Sequence, residues 1–328
     1  MMNIWALLST VLLTFILTYI VRKVAVKISI VDIPNHRSSH EIPTPRGGGL
    51  AVAAVWFLAV ALLYLNGKIE QDLFYAMLSG LILVVISYID DILSISYAVR
   101  LIFQIISIAI GIYFTGGLES LDIGFFQIEQ PVLLSILAGI ALLWFINLYN
   151  FIDGIDGYAS VETIFISVAV FIIAGNFYVL FLGAAVLGYL YWNFARKKIF
   201  MGDVGSTLLG YTLGIIAIHE SNQGELPILV FAILSSLFWF DATITLFRRA
   251  KNKEKLTEAH KKHAYQRFVQ GGYSHKQTVL YSIVINLVLF GIAYLATIYT
   301  TFVIPFLLLN LILLYLVVRK VDAIKPFE

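Results

Sequence analysis

Long apolar runs separated by short polar connections fill the chain. Eleven runs read as membrane spans, at 3–21, 47–65, 72–89, 98–115, 131–149, 160–174, 177–192, 204–219, 227–246, 277–297 and 300–318. A helix crossing the hydrocarbon core needs ~20 mostly apolar residues, so the shorter runs require neighbours to bury their ends. There is no internal repeat and no low-complexity tract, and the longest polar connection, 247–276, is too short to be a domain. The expected architecture is all-α: a single membrane-embedded domain over 1–328, polytopic, with about eleven transmembrane helices.

Composition strengthens this reading. Hydrophobic residues make up 60% of the 328 and charged residues 13%, against ~45–50% and ~25% in soluble domains. Too little polar surface remains to enclose such a core in water. Cysteine is absent, which excludes thiolate catalysis, disulfides and Cys-ligated zinc. The first run lacks a preceding basic residue, the first being Arg22. It therefore reads as a membrane helix rather than a secretory leader.

Charge then sets the orientation. Threading eleven spans places 21 of the 22 Lys and Arg on one side, with only Lys68 on the other. That other side carries Glu70, Asp72, Glu119, Asp122, Glu129, Glu220 and Glu225. Basic loops stay in the cytoplasm, so the N-terminus is expected outside.

Ionisable groups at membrane depth are rare and usually functional. Here they gather at the cytoplasmic ends of spans: Asp90 and Asp91; Asn147, Asn150, Asp153 and Asp156; and Asp203. Arg37, His40 and Arg46 lie in the first cytoplasmic connection, and His260, His263 and Arg267 in the last. The topology was fixed by Lys and Arg, yet it places all of these on one face.

Adjacent carboxylates such as Asp90 and Asp91 repel unless a cation or metal sits beside them. Arg100, nine residues past Asp91, can fold back as that cation. From Asn147 to Asp156 a polar side chain recurs every third residue. On one regular helix these would wrap about half the circumference, so the helix is expected to break near Gly154 and turn the acids into one pocket. Carboxamide and carboxylate oxygens suit Mg²⁺ or Mn²⁺. Asp203 lies between Gly202 and Gly205 at the mouth of a helix, where free N–H groups receive phosphate. An acid there competes with an anion unless a metal bridges them, so Asp203 reads as a metal ligand. A helix over Leu256–Gln270 would place His260, His263 and Arg267 on one face, as donors to a diphosphate. The inventory points to phosphoryl transfer, which relies on positioning and charge neutralisation.

At these residues the chain resembles the polyprenyl-phosphate N-acetylhexosamine-1-phosphate transferase family. Val31-Asp32-x-Pro34-Asn35-x-Arg37-x-x-His40 with Thr44-Pro45-Arg46-Gly47-Gly48 is similar to its first cytoplasmic motif. Asp90-Asp91, Asn147-x-x-Asn150-x-x-Asp153-Gly154-x-Asp156-Gly157 and Phe200-Met201-Gly202-Asp203-x-Gly205-Ser206 match the next three in order and spacing. The resemblance implies transfer of an N-acetylhexosamine 1-phosphate from a UDP-sugar to undecaprenyl phosphate, releasing UMP, with Mg²⁺ (or Mn²⁺). It implies that Asn150 and Asp203 hold the metal, that Asp90 and Asp91 act at the lipid phosphate near Arg100, and that Asp156 and Phe200 contact the uracil. Ser94 stands where the peptidoglycan branch has Lys, and His260-Lys261-Lys262-His263 replaces its His triplet. The expectation is thus the N-acetylglucosaminyl branch that starts lipid-linked glycans of the O-antigen type.

Direct attack by the lipid phosphate and an aspartyl-phosphate intermediate are both open. The first is favoured, because a phosphate monoester with a second pKa near ~6 is already mostly dianionic. An ion-coupled transporter or flippase would put its polar groups near the bilayer midplane. A CDP-alcohol phosphotransferase would group its aspartates on one or two neighbouring helices. Neither pattern occurs. The expected location is the bacterial inner membrane, with membrane lipids as neighbours and no nucleic acid partner. A homodimer is compatible with the sequence but not fixed by it.

Overall fold

The computed structural model of the chain describes residues 4–28, 31–32, 43–256, 258 and 260–327. It is helical almost throughout. The helices are α1 (Ile4–Lys27), α2 (Gly48–Leu65), α3 (Gln71–Leu78), α4 (Gly80–Leu93), α5 (Tyr97–Thr115), α6 (Pro131–Phe151) and α7 (Tyr158–Ala174). They continue with α8 (Val179–Leu190), α9 (Asp203–Asn222), α10 (Ile228–Leu234), α11 (Ser236–Lys251), α12 (Ala264–Gln270), α13 (His275–Ile298) and α14 (Val303–Ile324). Two-residue strands form two antiparallel pairs, β1 (Val31–Asp32) with β2 (Thr44–Pro45) and β3 (Leu121–Asp122) with β4 (Gln127–Ile128).

Each expected span coincides with a helix or a helix pair. Among the described residues seven helical segments are long and apolar enough to cross a membrane, and eight if the bent pair α10–α11 is one span. Helix α7 and the segment Val179–Ala195 are apolar but shorter. The bend between α10 and α11 is 78°, although neither Gly nor Pro stands there. Serines make it instead. Ser235 Oγ donates back to Phe231 O (2.8 Å) and Ser236 Oγ to Ile233 O (2.7 Å), while Asn310 on α14 donates to Ser236 Oγ (2.8 Å). Such back-bonding competes with the helix ladder and bends it.

Helix α9 is the axis of the fold. It packs against α2, α4, α5 and α6, and every residue from Val204 to Ile218 is buried. Its first turn meets the start of α2 backbone to backbone. A Cβ on Gly49 would lie 2.3 Å from the Gly205 nitrogen, and one on Gly205 would lie 2.9 Å from the Gly49 Cα. Only paired glycines allow this approach. The strand before α2 continues the contact: Phe200 N–H donates to Pro45 O (2.8 Å), Gly48 N–H to Phe200 O (2.9 Å) and Gly49 N–H to Met201 O (2.9 Å). Two distant motifs thereby become one rigid edge.

Candidate active site

That edge organises the acids. The tight turn from α4 into α5 begins at Ser94, whose left-handed conformation (φ 51°) lets its N–H donate to Asp90 O (2.8 Å). The turn carries Arg100, in the first turn of α5, back over the end of α4. Its Nη1 donates to Asp90 Oδ2 (2.7 Å) and to Asp203 Oδ2 (3.0 Å). The expected compensating cation is therefore in place, and it meets Asp90 and Asp203. Asp91 faces the same space, 3.5 Å from where a Gly202 Cβ would be.

Helix α6 ends at Phe151 and α7 begins at Tyr158, so the chain breaks around Gly154 as its sequence implies. A Cβ on Gly154 would lie 2.2 Å from the Tyr265 hydroxyl, which donates to Phe151 O (2.8 Å). Bare backbone is required at that contact. The break turns Asn150 toward α9: its side chain hydrogen-bonds Asp203, and its Oδ1 accepts from Ser206 Oγ (2.8 Å). Neither Asp203 nor Ser206 caps α9, whose N-cap is Gly202. Gly202 N–H donates to Asp153. Burial pushes the Asp153 carboxyl up to about 8, with the Asp203 charge adding and Arg46 opposing. Arg46 is held by Asp32 (2.8 Å). Arg37 and His40 lie outside the described residues.

Arg100, Asn147, Asn150, Asp203 and Thr207 line a cavity of about 690 Å³, together with His260 and His263. The remaining wall is largely apolar, including Leu83, Ile86, Leu101 and Leu143. Ile140 and Trp144, on the lining face of α6, are 61% and 46% exposed. They lie within a membrane-spanning helix, so the cavity opens toward lipid as well as toward the polar edge.

The last connection differs from the expectation. Among the described residues of this stretch, 256, 258 and 260–263, none is helical, and α12 starts at Ala264. Its first N–H groups are capped from another helix, where Asp241 on α11 accepts from Ala264 N–H (2.7 Å) and Tyr265 N–H (3.2 Å). His260, His263 and Arg267 therefore share no helical face. Arg267 is buried and turned away from the cavity. It donates to Asp322 (2.7 Å), Lys325 O (2.8 Å) and Lys262 O (3.0 Å). Arg249 is equally buried and holds Glu254 and the carbonyls of Lys255, Leu256 and Glu258. Both arginines are scaffolds for the connection.

The two histidines do reach the cavity, with ring centroids 4.8 Å apart. Burial pushes each imidazole down to about 3, helped at His260 by His263 and Arg249, and at His263 by Arg249 and Arg267. Both are neutral at pH 7. His260 Nδ1 accepts from Lys262 N–H (3.2 Å), which leaves Nε2–H as its donor. Among the described residues His263 Nδ1 is buried without a hydrogen-bond partner.

Asp156 sits apart from this cavity. Its Oδ2 lies 2.9 Å from His275 Nδ1 and 3.7 Å from Lys197 Nζ. Phe200 is fixed by its backbone to Pro45 and Gly48. Sequence reading missed His275, Lys197 and Asn193. The readable trace of His275 was the Ser274-x-x-Gln277 capping box, which starts α13 at that residue.

A divalent cation fits the polar edge. Among the described residues Arg46 and Arg100 are the cations that act on Asp91, Asp153 and Asp203, and these carboxyl groups with Asp90 supply hard oxygen donors. Among the described residues no three His, Asp or Glu side chains converge as a preformed cage. Mg²⁺ is commonly bound by one or two carboxylates plus substrate phosphates and water, which matches this arrangement.

Residues 73–221 match the family model described as glycosyl transferase family 4. A probable undecaprenyl-phosphate N-acetylglucosaminyl 1-phosphate transferase of Bacillus subtilis is 30% identical, over 98% of this chain and 94% of that protein. The undecaprenyl-phosphate alpha-N-acetylglucosaminyl 1-phosphate transferase of Escherichia coli K12 is 28% identical, over 94% and 87%. A decaprenyl-phosphate N-acetylglucosaminephosphotransferase of Mycolicibacterium smegmatis is 28% identical, over 83% and 77%. With the described parts of four motifs brought to one end of a helical membrane fold and a relative of this identity along nearly its whole length, the chain belongs to the polyprenyl-phosphate N-acetylhexosamine-1-phosphate transferase family.

Proposed function

We propose that the chain transfers N-acetylhexosamine 1-phosphate from a UDP-sugar to undecaprenyl phosphate at the cytoplasmic face of a bacterial inner membrane, releasing UMP. The observation that carries this reading is Arg100 bridging Asp90 and Asp203 beside Asn150, at the polar end of a cavity whose other walls are apolar and reach lipid. A soluble diphosphate and a lipid phosphate meet naturally at such a boundary. The names of the relatives add the polyprenyl phosphate acceptor and the N-acetylglucosamine group.

In this reading an oxygen of the lipid phosphate attacks the sugar-linked phosphorus of the donor. The bond from that phosphorus to the bridging oxygen breaks, and UMP leaves with the negative charge. Asn150 and Asp203 hold Mg²⁺ or Mn²⁺, which when bound neutralises charge on the diphosphate. Arg100 attracts the lipid phosphate, and Asp90 fixes the direction of Arg100. His260 and His263 offer neutral N–H donors to the diphosphate, where hydrogen bonds made to developing charge count most. Asp90 already shares its Oδ2 with Arg100 at 2.7 Å, which makes it a poor nucleophile and favours direct attack.

The test is UMP release by purified protein given undecaprenyl phosphate and a panel of UDP-N-acetylhexosamines, with and without Mg²⁺. Lipid-dependent, metal-dependent release with one donor preferred is the expected result. Absence of release with every donor would overturn the reading. For direct attack, labelled UMP should not exchange into the UDP-sugar without lipid product, whereas exchange would indicate a covalent enzyme intermediate.

A further inference from the structure

The cavity wall changes character one helical turn into the membrane, and a carboxamide pair stands at the change. Gln104 follows Arg100 at i+4 on α5, so both side chains lie on the face that lines the cavity. Gln104 is only 8% exposed. An amide buried at membrane depth is costly unless its hydrogen bonds are made. Beyond it the wall is apolar, with Leu83, Ile140 and Leu143.

The direction of the Gln104 amide is set from α6. Asn147 Nδ2 donates to Leu143 O (2.8 Å), a carbonyl that can only accept, which fixes that atom as the nitrogen. The same nitrogen donates to Gln104 Oε1 (3.0 Å). Gln104 therefore turns its oxygen to Asn147 and keeps both Nε2 hydrogens. Among the described residues they have no partner. The other side chains at this depth that carry donors are committed. Thr207 Oγ1 donates to Asp203 O (2.6 Å), so Ser87 gives its hydrogen to Thr207 Oγ1 (3.2 Å). Trp144 Nε1 donates to Thr243 Oγ1 (3.1 Å). Both Nδ2 hydrogens of Asn147 are used as described. Among the described residues, what this part of the wall offers a ligand is one neutral donor, between the Arg100 guanidinium and the apolar surface.

We propose that Gln104 Nε2 binds a non-bridging oxygen of the lipid phosphate beside Arg100, and that Asn147 is a positioning residue that keeps this nitrogen toward the cavity. The assignment rests on the reading of the acceptor as a lipid phosphate. A ligand with an anionic head and an apolar tail matches a donor that borders an apolar wall, whereas the hydroxyls of a sugar would meet Leu83, Ile140 and Leu143 unpaired. A neutral second donor also suits the reaction. The attacking phosphate loses negative charge as the new bond forms. A second cation would hold the ground state more tightly than the transition state and so raise the barrier.

The experiment compares wild type, Gln104→Met, Asn147→Leu and the double variant in two readouts. One is kcat and the separate KM values for undecaprenyl phosphate and the UDP-sugar. The other is calorimetric binding of farnesyl phosphate, a shorter lipid phosphate, without donor. Met keeps the length of Gln and has no N–H. Gln104→Met should raise the lipid KM and weaken farnesyl phosphate by about 10- to 100-fold, the size of a lost hydrogen bond to a charged group. Its kcat and its KM for the UDP-sugar should stay within a few-fold, as for a contact equal in ground and transition states. Asn147→Leu frees the amide to turn and should weaken the lipid phosphate less than Gln104→Met does. In the double variant it should add nothing, since the two act through one bond. A merely structural pair would lower thermal stability and shift kcat and both KM values together, and that result overturns the proposal. A rise confined to the KM of the UDP-sugar overturns it too, by placing the sugar at Gln104. If Gln104→Met does not fold, Asn147→Leu decides: a rise in the lipid KM alone supports the proposal and an unchanged lipid KM opposes it. Binding of farnesyl phosphate that depends on Gln104, with no UMP release by wild type, would refute the function above and leave this assignment standing. Normal release with an unchanged lipid KM in Gln104→Met would refute this assignment alone.

Discussion

Two polar regions close over the same end of the helix bundle, and they use charge in opposite ways. The acidic edge, where the starts of α2 and α9 meet the turn after α6, has more carboxyl groups than cations among the described residues and leaves oxygen donors for a metal that would bridge to a diphosphate. The basic connection between α11 and α13 has many cations, but its two buried arginines are satisfied internally. Arg249 is spent on Glu254 and three carbonyls, and Arg267 on Asp322 and two carbonyls. The number of arginines near a phosphate site is therefore a poor count of phosphate contacts. What the connection delivers to the cavity is no arginine but a pair of uncharged histidines, with Leu256, Glu258 and Gln266 beside them.

The largest effect should come from the acidic edge. Asp203→Asn should lower kcat by about 10³-fold, the upper range for a group that stabilises transition-state charge, with thermal stability close to wild type. Activity of that variant within ten-fold of wild type would remove Asp203 from the chemistry. Arg100→Ala should follow at about 10²- to 10³-fold in kcat/KM for the lipid phosphate. Arg100→Lys should recover only part, because an ammonium does not reproduce the planar guanidinium that Asp90 and Asp203 share.

Next is a contrast inside the basic connection. His263→Ala should cost about 10²-fold in kcat. Arg267→Ala should cost about 1–3 kcal/mol of stability and leave turnover per folded molecule within a few-fold. A double-mutant cycle of Arg267 with Asp322 should show coupling in stability but not in kcat.

The effect with the least bearing on turnover is in pH dependence. His260 and His263 are held neutral, with folded values near 3, below the ordinary ~6.5. The unfolded chain then binds more protons than the folded one between these values. Stability is present above ~6.5 and is lost as pH falls toward 3. Melting curves from pH 7 to 4.5 should show this loss, reduced in a His260→Gln, His263→Gln double variant. An equal loss in the double variant would place the acid sensitivity elsewhere.

How much of this was readable depended on the range of the contacts. The acidic edge was legible because its residues lie in short motifs with glycines at fixed offsets, and one charge rule placed them on one face. The break at Gly154 and the return of Arg100 to Asp90 follow from these motifs, whereas the nearness of Asn150 to Asp203 was implied by the family resemblance. The basic connection was not legible. Its period of three and four suggested a helix from Leu256, but the cap of α12 is Asp241, 23 residues before Ala264. Arg267 looked free because Asp322 is 55 residues away, and His275 looked idle because Asp156 is 119 residues away. The bend at Ser235 was hidden for the same reason, since Asn310 that braces it belongs to the last helix.

The most direct measurement sets Arg100→Ala beside Arg267→Ala in the UMP-release assay, each normalised to folded protein by its melting transition. The account predicts a loss of about 10²-fold or more for Arg100→Ala at near wild-type stability. For Arg267→Ala it predicts a lower melting temperature with turnover nearly intact. The reverse result, with Arg267→Ala stable and inactive and Arg100→Ala active, would contradict it.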